Sequence, residues 1–92
     1  MSIHWLFDVI EDRKKNPSEK SYTSSLFKDG LPRIAQKVGE EGTEVVVAAL
    51  SQNDERLIEE VADLTYHTLV LLSARDIDPA RVLDELQKRH RV

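Results

Sequence analysis

The sequence predicts an all-α fold, a single domain of four helices over residues 1–92. Three observations lead to this prediction. Apolar residues recur every three or four positions along most of the chain, which is the period of an α-helix. Two of these stretches run for about twenty residues without a turn signal, a length that strands rarely reach. Proline, asparagine and aspartate mark the breaks between the stretches.

The first helix has both a start and a stop signal. Ser2 is a suitable N-cap, and the helix should stop before Pro17 because the residue ahead of a proline is disfavoured in helical geometry. Lys14 belongs to the basic run at its end and is expected to be exposed. The apolar residues follow the i, i+3, i+4, i+7 pattern: Ile3, Leu6, Phe7 and Ile10.

Residues 16–32 form the one long irregular stretch of the prediction. Within it, Thr23 can cap a single helical turn that Gly30 closes. The hydroxyl groups of Tyr22, Thr23 and Ser24, together with backbone N–H groups at a helix start, are suited to bind a phosphate. A flexible connector is the alternative interpretation of the same stretch.

The second helix should span residues 31–51, with Pro32 in its first turn. Three consecutive valines at positions 45–47 would suit a strand as well. The surrounding apolar register is nevertheless that of a helix: Ile34, Val38, Val45 and Ala49.

The last two helices follow clear start signals. Asn53 and Asp54 mark the break and cap a third helix over residues 54–75, and Asp78 followed by Pro79 opens the fourth. The inner stripe of the third helix is predicted to consist of Leu57, Val61, Leu64, Thr68 and Leu71. The apolar residues of the fourth are Val82, Leu83 and Leu86.

The composition excludes several classes of protein. Cysteine is absent, so disulfides and thiolate–zinc sites are excluded and an intracellular location is favoured. There is no apolar run of about 18 residues and no signal sequence, so we expect a soluble, cytoplasmic protein without a membrane partner. Only 5% of the residues are aromatic, which argues against a stacking platform for single-stranded nucleic acid.

The negative charge is concentrated in two motifs. The formal net charge is −4, from 13 Lys and Arg against 17 Asp and Glu. Without the five motif carboxylates, twelve acids would face thirteen bases, so the acidity is not a general surface coat. The five carboxylates are Glu40, Glu41 and Glu44, followed by Glu60 and Asp63.

The spacing of these carboxylates predicts a metal site. Residues three or four apart on a helix share a face, and a short link makes the second and third helices antiparallel neighbours. Four carboxylates would then surround one point, where a hard cation with oxygen ligands relieves their repulsion. We therefore predict Mg²⁺, or Mn²⁺ as a substitute, with these ligands: Glu41, Glu44, Glu60 and Asp63.

A solvated charge cluster is the alternative interpretation, and two features argue against it. Val47 and Ala48 continue the arc of the first motif, so the same face turns apolar one turn later. Lys37 and Arg56 are the only basic residues on the two arcs, too few to neutralise five acids. His67, one turn beyond the second motif, is interpreted as a partner that orients a ligand.

The two acidic motifs together resemble the signature of the all-α, MazG-like nucleoside triphosphate pyrophosphatases. The resemblance covers about residues 3–90, with the motifs in the same order and spacing. Gly42 and Thr65 stand where the family more often has Ala and Leu, and neither is a proposed ligand. Longer runs resemble one branch, the phosphoribosyl-ATP pyrophosphatases of histidine biosynthesis: Ser21–Leu26, Lys37–Glu41, Glu59–Leu64 and Tyr66–His67.

This resemblance implies a four-helix MazG-like bundle completed by dimerisation. It also implies Mg²⁺-dependent hydrolysis of the nucleotide 1-(5-phosphoribosyl)-ATP to 1-(5-phosphoribosyl)-AMP and pyrophosphate, the second step of histidine biosynthesis. The next enzyme of the pathway, a zinc-dependent cyclohydrolase, is in many organisms fused to this domain. We expect it to be absent here because the chain has no cysteine for its zinc site.

The residues are suited to this chemistry. An acidic site needs a cation to approach a triphosphate. Lys37, one turn before the acids, can bind a phosphate oxygen, and Glu40 is the best candidate for the general base that orients the attacking water. The catalytic set would thus comprise Glu40, Glu41, Glu44, Glu60 and Asp63, and the substrate would also contact Tyr22, Thr23 and Ser24.

Two other functions remain open from the residues. A housekeeping pyrophosphatase for ordinary or damaged nucleotides would use the same carboxylates, and comparing turnover of several nucleotides separates it from the first function. A non-enzymatic acidic oligomer could instead buffer Mg²⁺ or dock a basic partner. The position of Lys37 beside the acids argues against that function.

Assembly is predicted from the distribution of apolar surface. The second and third helices are apolar over more than half of their circumference, whereas the outer helices are short and apolar on one side. A monomer would expose a large apolar patch, so we predict a homodimer or a dimer of dimers. A glutamate at Leu69 or Leu72 is expected to split or unfold it, and Arg89 or residues 20–25 could complete the partner's site.

Overall fold

The computed structural model describes residues 3–89, and the regular structure in that range is all helical. The predicted fold class is confirmed, and the two longest helices match their predicted bounds to within one residue. No helix of this range combines the length and apolar character needed to cross a bilayer. The helices are α1 (His4–Lys15), α2 (Tyr22–Asp29), α3 (Leu31–Ser51), α4 (Asp54–Ala74) and α5 (Ala80–Arg89).

The predicted start signals hold for the later helices. Asn53 caps α4, since its side chain accepts a hydrogen bond from the backbone N–H of Arg56 at 2.9 Å. Asp78 Oδ1 accepts one from the N–H of Ala80 at 2.8 Å, at the start of α5. At α1 the N-cap position is Ile3, and the predicted cap, Ser2, lies outside the described residues.

The number of helices needs correction from four to five, because a two-turn helix replaces the predicted single turn. This helix, α2, is capped by Ser21 and not by Thr23: the N–H of Ser24 donates to Ser21 Oγ at 3.1 Å. An earlier start adds a second turn, and a single isolated turn is unfavourable. Gly30 ends α2 as predicted, with a φ of 96° that residues other than glycine rarely adopt.

The core lies where α1 to α4 meet. The most extensive contact is between α3 and α4, which a short link joins as antiparallel neighbours. None of the described residues of α5 is buried. The buried cluster consists of Ile10, Leu26, Ile34, Leu69 and Val70.

The inner stripe of α4 differs from the prediction. Val61 is 44% exposed, and the other predicted residues are only partly buried. Three polar residues occupy the inner face, and the apolar positions are therefore rotated around the helix. A glutamate at Leu69 would accordingly disrupt the core of the chain itself. The buried residues of α4 are Glu60, His67, Leu69, Val70 and Ser73.

A polar cluster fastens α1 to the end of α4, and we call it the α1–α4 clamp: Glu11, Lys14, Ser73 and Asp76. Lys14 Nζ donates to the carbonyl oxygen of Ser73 at 2.7 Å and lies 3.0 Å from both Glu11 Oε2 and Asp76 Oδ1. The buried Ser73 hydroxyl donates to Glu11 Oε2. The expectation that Lys14 is exposed is therefore wrong, because Lys14 reaches the carbonyl end of a neighbouring helix.

Candidate metal centre

Two buried carboxylates meet between the central helices. Glu41 on α3 is 6% exposed and Glu60 on α4 is 5% exposed. Asp63 lies one turn further along α4 on the exposed side. One oxygen atom from each of the three lies within 4.8 Å of the other two, a spacing from which small side-chain rotations bring ligands around one ion.

Both buried carboxylates have one oxygen paired and one not. Lys37 Nζ lies 3.2 Å from Glu41 Oε1, and Arg56 Nη2 lies 2.6 Å from Glu60 Oε1. Within residues 3–89, no donor meets the other oxygens, Glu41 Oε2 and Glu60 Oε2. A buried anionic oxygen without a partner is costly. Two such oxygens on carboxylates of one close group are a donor set that fits a hard divalent cation.

Glu44, the fourth predicted ligand, is exposed and does not belong to the group of three close oxygens. It still lies against the cluster, since a hydrogen bond to Glu60 and the charges of Glu41 and Glu60 raise the pKa of Glu44 to about 6. The protonated form of Glu44 avoids the repulsion that its ionised form meets from these two carboxylates. This carboxylate is therefore within the electrostatic range of the site.

Glu40 is exposed and is directed toward the start of α3. Arg33 Nη1 and Lys37 Nζ each lie 3.8 Å from Glu40 Oε1, and Gln36 Nε2 donates to Glu40 Oε2 at 3.4 Å. Burial acts to lower the pKa of Lys37, but the hydrogen bond to Glu41 and the neighbouring negative groups raise it above its usual value. Lys37 therefore remains a cation beside the acids.

His67 is buried on α4 and is oriented by two hydrogen bonds. Its Nδ1 lies 2.8 Å from the carbonyl oxygen of Asp63, which can only accept, so Nδ1 carries the proton. Its Nε2 then accepts from the hydroxyl of Tyr22 at 3.1 Å. With both nitrogens engaged, the ring is placed to orient the segment that carries Asp63 and not to bind a metal in this arrangement.

The first turn of α2 docks on α4 through its hydroxyl groups. Besides the bond from Tyr22 to His67, Thr23 Oγ1 and the hydroxyl of Tyr66 share a short hydrogen bond. The rings of Tyr66 and His67 meet edge to face at 4.9 Å. Burial raises the pKa of Tyr66, although the bond to Thr23 acts in the opposite direction. These contacts place the start of α2 next to the carboxylates.

Ser24 faces away from the carboxylates. It is buried, its hydroxyl donates to the carbonyl oxygen of Arg13 at 3.3 Å, and it accepts from the N–H of Ser18 at 3.0 Å. All three hydroxyls of the predicted phosphate-binding turn are thus engaged within the protein. The groups that remain for a ligand are backbone N–H groups, because the first ones of a helix have no partner within it.

Two residues of the site, Arg33 and Tyr66, are absent from the sequence-based prediction. Arg33 precedes Lys37 by four residues, so the spacing alone places Arg33 and Lys37 on one helix face. No pattern marks the contact between Tyr66 and Thr23, because it depends on how α2 docks on α4.

Comparison with known proteins identifies a family and several similar chains. Residues 4–90 match the family described as phosphoribosyl-ATP pyrophosphohydrolase. The chain is similar to the phosphoribosyl-ATP pyrophosphatase of Clostridium acetobutylicum, 53% identical over 85 residues that cover 92% of this chain and 77% of the relative. It is also similar to the phosphoribosyl-ATP pyrophosphatase of Listeria innocua, 54% identical over 84 residues that cover 91% of this chain and 81% of the relative. The chain is also 48% identical over 91 residues to the histidine biosynthesis bifunctional protein HisIE of Buchnera aphidicola, covering 96% of this chain and 42% of that protein.

Proposed function

The chain belongs to the phosphoribosyl-ATP pyrophosphohydrolase family, and we propose that it hydrolyses 1-(5-phosphoribosyl)-ATP to 1-(5-phosphoribosyl)-AMP and pyrophosphate. This reaction would place it in histidine biosynthesis, in the cytoplasm. The observation that carries the proposal is the pair of unpartnered buried oxygens of Glu41 and Glu60 beside the cation Lys37. Oxygen ligands next to a phosphate-binding cation are what hydrolysis of a phosphate anhydride requires.

A divalent cation fits the donors that this chain offers. Glu41, Glu60 and Asp63 would hold Mg²⁺, or Mn²⁺ in its place, with Glu44 as a fourth ligand. When bound, the cation neutralises charge on the triphosphate and polarises the phosphate oxygens. The crowding that raises the pKa of Glu44 is the repulsion that such a cation removes.

The remaining polar groups have roles that follow from their positions. Lys37 binds a phosphate oxygen as a fixed cation. Glu40, on the open side of the cluster, accepts a proton from the attacking water as general base. The water oxygen bonds to the α-phosphorus, the bond from that phosphorus to the bridging oxygen breaks, and pyrophosphate leaves.

The start of α2 completes the substrate site in this proposal. Backbone N–H groups of Tyr22 and Thr23 bind a phosphate at the positive end of the helix. Ser24 contributes indirectly, by holding the loop before α2 against α1. His67 positions Asp63 and anchors Tyr22.

Release of pyrophosphate from 1-(5-phosphoribosyl)-ATP in the presence of Mg²⁺ tests the proposal. We expect turnover of this nucleotide to exceed turnover of ATP and of other ribo- and deoxyribonucleoside triphosphates. Faster turnover of ordinary nucleotides would replace the proposed function by that of a housekeeping pyrophosphatase. Binding of Mg²⁺ without turnover of any nucleotide would show a non-enzymatic protein.

We also propose that the protein is a homodimer or a dimer of dimers, in which a second copy covers the end of the α3–α4 pair. Leu50 is 83% exposed and Ile58 is 68% exposed there. A groove of about 260 Å³, lined by residues that include Glu44, Val47 and Glu60, adjoins this surface. A covering copy would shield the carboxylates from water. The exposed apolar residues at this end are Val46, Val47, Leu50, Ile58 and Val61.

Sedimentation equilibrium tests the assembly. The wild type is expected at two or four times the chain mass of 10.5 kDa, and Leu50→Glu is expected to lower that mass while leaving the helical circular dichroism unchanged. Ser51→Glu, also exposed and next to Leu50, is the matched control. A folded wild type of 10.5 kDa at micromolar concentration contradicts the proposal.

A further inference from the structure

The carboxylate of Glu40 is surrounded by donors from one face of α3. Arg33 and Lys37 converge on the same atom, Glu40 Oε1, each at 3.8 Å. Gln36 Nε2 donates to the other oxygen at 3.4 Å. Positions 33, 36 and 37 share one face because they are spaced by three and four residues. Two cations and an amide thus form a three-sided cage around one singly charged anion.

This cage contributes little to the stability of the helix. All three contacts are long, and the side chains of Arg33 and Glu40 are 43% and 45% exposed. Exposed ion pairs of this kind contribute little to the free energy of unfolding. Arg33 also stands in the first turn of α3, where the helix dipole disfavours a cation. A ligand outside the chain accounts for these cations better than helix stability does.

The cage adjoins the metal centre through Lys37. Lys37 Nζ lies 3.8 Å from Glu40 Oε1 and 3.2 Å from Glu41 Oε1. The second oxygen of Glu41 has no donor within residues 3–89, and Glu41 contributes one oxygen to the close group with Glu60 and Asp63. A chain of phosphoryl groups that begins at this cluster would therefore reach Lys37 first and Arg33 next.

We propose that Arg33, Gln36 and Lys37 form an anion site for the pyrophosphate end of the substrate, and that Glu40 fills this site until the substrate displaces it. The proposal rests on the proposed function and adds Arg33 and Gln36 to the binding residues. A phosphoryl group has more charge and more acceptor oxygens than a carboxylate, and a guanidinium can bind two of those oxygens at once. Displacement also frees Glu40 to accept the proton of water once substrate is bound.

Equilibrium binding of inorganic pyrophosphate in Mg²⁺, measured by titration calorimetry, tests the site without turnover. Arg33→Gln is expected to weaken binding by about tenfold or more, because the charge-assisted hydrogen bonds of the guanidinium are lost. Lys28→Gln is the matched control, since Lys28 is an exposed cation in the last turn of α2. Its affinity for pyrophosphate should equal that of the wild type.

Glu40→Gln provides a second measurement, an increase in pyrophosphate affinity, which a purely structural role of Glu40 would not produce. Loss of the resident carboxylate should tighten pyrophosphate binding by severalfold, while loss of the general base slows turnover. Unchanged affinity in Arg33→Gln, weaker binding in Glu40→Gln, or a wild type that does not bind pyrophosphate at millimolar concentration would overturn the anion site.

The two proposals fail in distinguishable ways. A protein that shows both affinity changes but does not hydrolyse 1-(5-phosphoribosyl)-ATP retains the anion site and loses the proposed function. If the protein hydrolyses this nucleotide but neither Arg33→Gln nor Glu40→Gln changes the affinity for pyrophosphate, the proposed function holds and the anion site is excluded.

Discussion

Two clusters of acidic residues contact α4, and they differ in how their oxygens are paired. In the α1–α4 clamp, Glu11 Oε2 accepts from the Ser73 hydroxyl and lies 3.0 Å from Lys14 Nζ. In the metal centre, Glu41 and Glu60 each keep one buried oxygen that no donor of residues 3–89 meets. Carboxylate oxygens are thus hydrogen-bonded within the protein at the end of α4, whereas two of them lack a donor near its start.

The difference separates structural acids from candidate ligands. The pKa of Glu11 lies below its ordinary value of 4.5, chiefly because the Ser73 hydroxyl stabilises the ionised form, and Lys14 adds to this. Glu44, beside the metal centre, has its pKa raised to about 6 by Glu60 and Glu41. The pKa shifts of Glu11 and Glu44 have opposite signs. The fold therefore stabilises the ionised carboxylate in the clamp and leaves like-charge repulsion beside Glu41 and Glu60. An added cation would resolve that repulsion.

Exchanging one acid for its amide in each cluster should give opposite phenotypes, and this is the largest expected effect. Glu60→Gln is expected to lower turnover at least about a hundredfold, because it removes a group that holds charge in the transition state. Its free energy of unfolding in EDTA should equal or exceed that of the wild type, since like-charge repulsion is reduced. Glu11→Gln should keep its turnover and lose stability.

Turnover assays and urea unfolding measure both properties. The same loss of turnover is expected for the other proposed ligands, as Glu41→Gln, Glu44→Gln and Asp63→Asn. Near-normal turnover of any of these variants at moderate Mg²⁺ would remove that residue from the ligand set.

Lys14 and Lys37, one in each cluster, give a second comparison with a smaller expected effect. Lys37→Ala is expected to raise KM or lower kcat about tenfold or more, because a charge-assisted contact to phosphate is lost. Lys14→Ala is expected to leave both constants unchanged and to lower the free energy of unfolding by about 1–2 kcal/mol, because the Ser73 carbonyl loses its donor. Equal kinetics of the two variants would place Lys37 outside the site.

The smallest effect is the pH dependence of the stability difference between wild type and Ser73→Ala, which reports on the clamp. Because the pKa of Glu11 is lower in the folded protein, its contribution is complete above 4.5 and is lost as the pH falls through the lowered value. Ser73→Ala removes the first cause of that shift. The stability difference between wild type and Ser73→Ala should therefore be largest near neutral pH and shrink below 4.5, as urea unfolding at several pH values would show. A difference that stays constant would exclude the linkage.

The sequence was a good guide to α3 and α4 because their signals are local. Residue spacing alone predicts that Glu41 and Glu60 lie on facing helices, and a two-residue link between these helices brings them together. It also predicts Asn53 as the cap of α4, since the hydroxyl or amide of a cap acts only three residues away.

Features that depend on docking were missed or wrong. The exposure of Lys14 was misjudged because its partners, Ser73 and Asp76, are distant in the chain. The predicted inner stripe of α4 is wrong because Glu60 and His67, which an apolar pattern leaves out, occupy the inner face. Polar residues that are buried for function break the pattern from which burial is predicted.

Thermal unfolding with and without divalent cation tests the central claim, that a metal ion binds the unpartnered oxygens of Glu41 and Glu60. A ligand that binds only the folded state raises its stability. We predict that Mg²⁺ raises the Tm of the wild type above its value in EDTA, and that Glu60→Gln in EDTA is at least as stable as the wild type but gains nothing from Mg²⁺. A wild-type Tm that neither Mg²⁺ nor Mn²⁺ changes would contradict the binding of a divalent cation at these carboxylates.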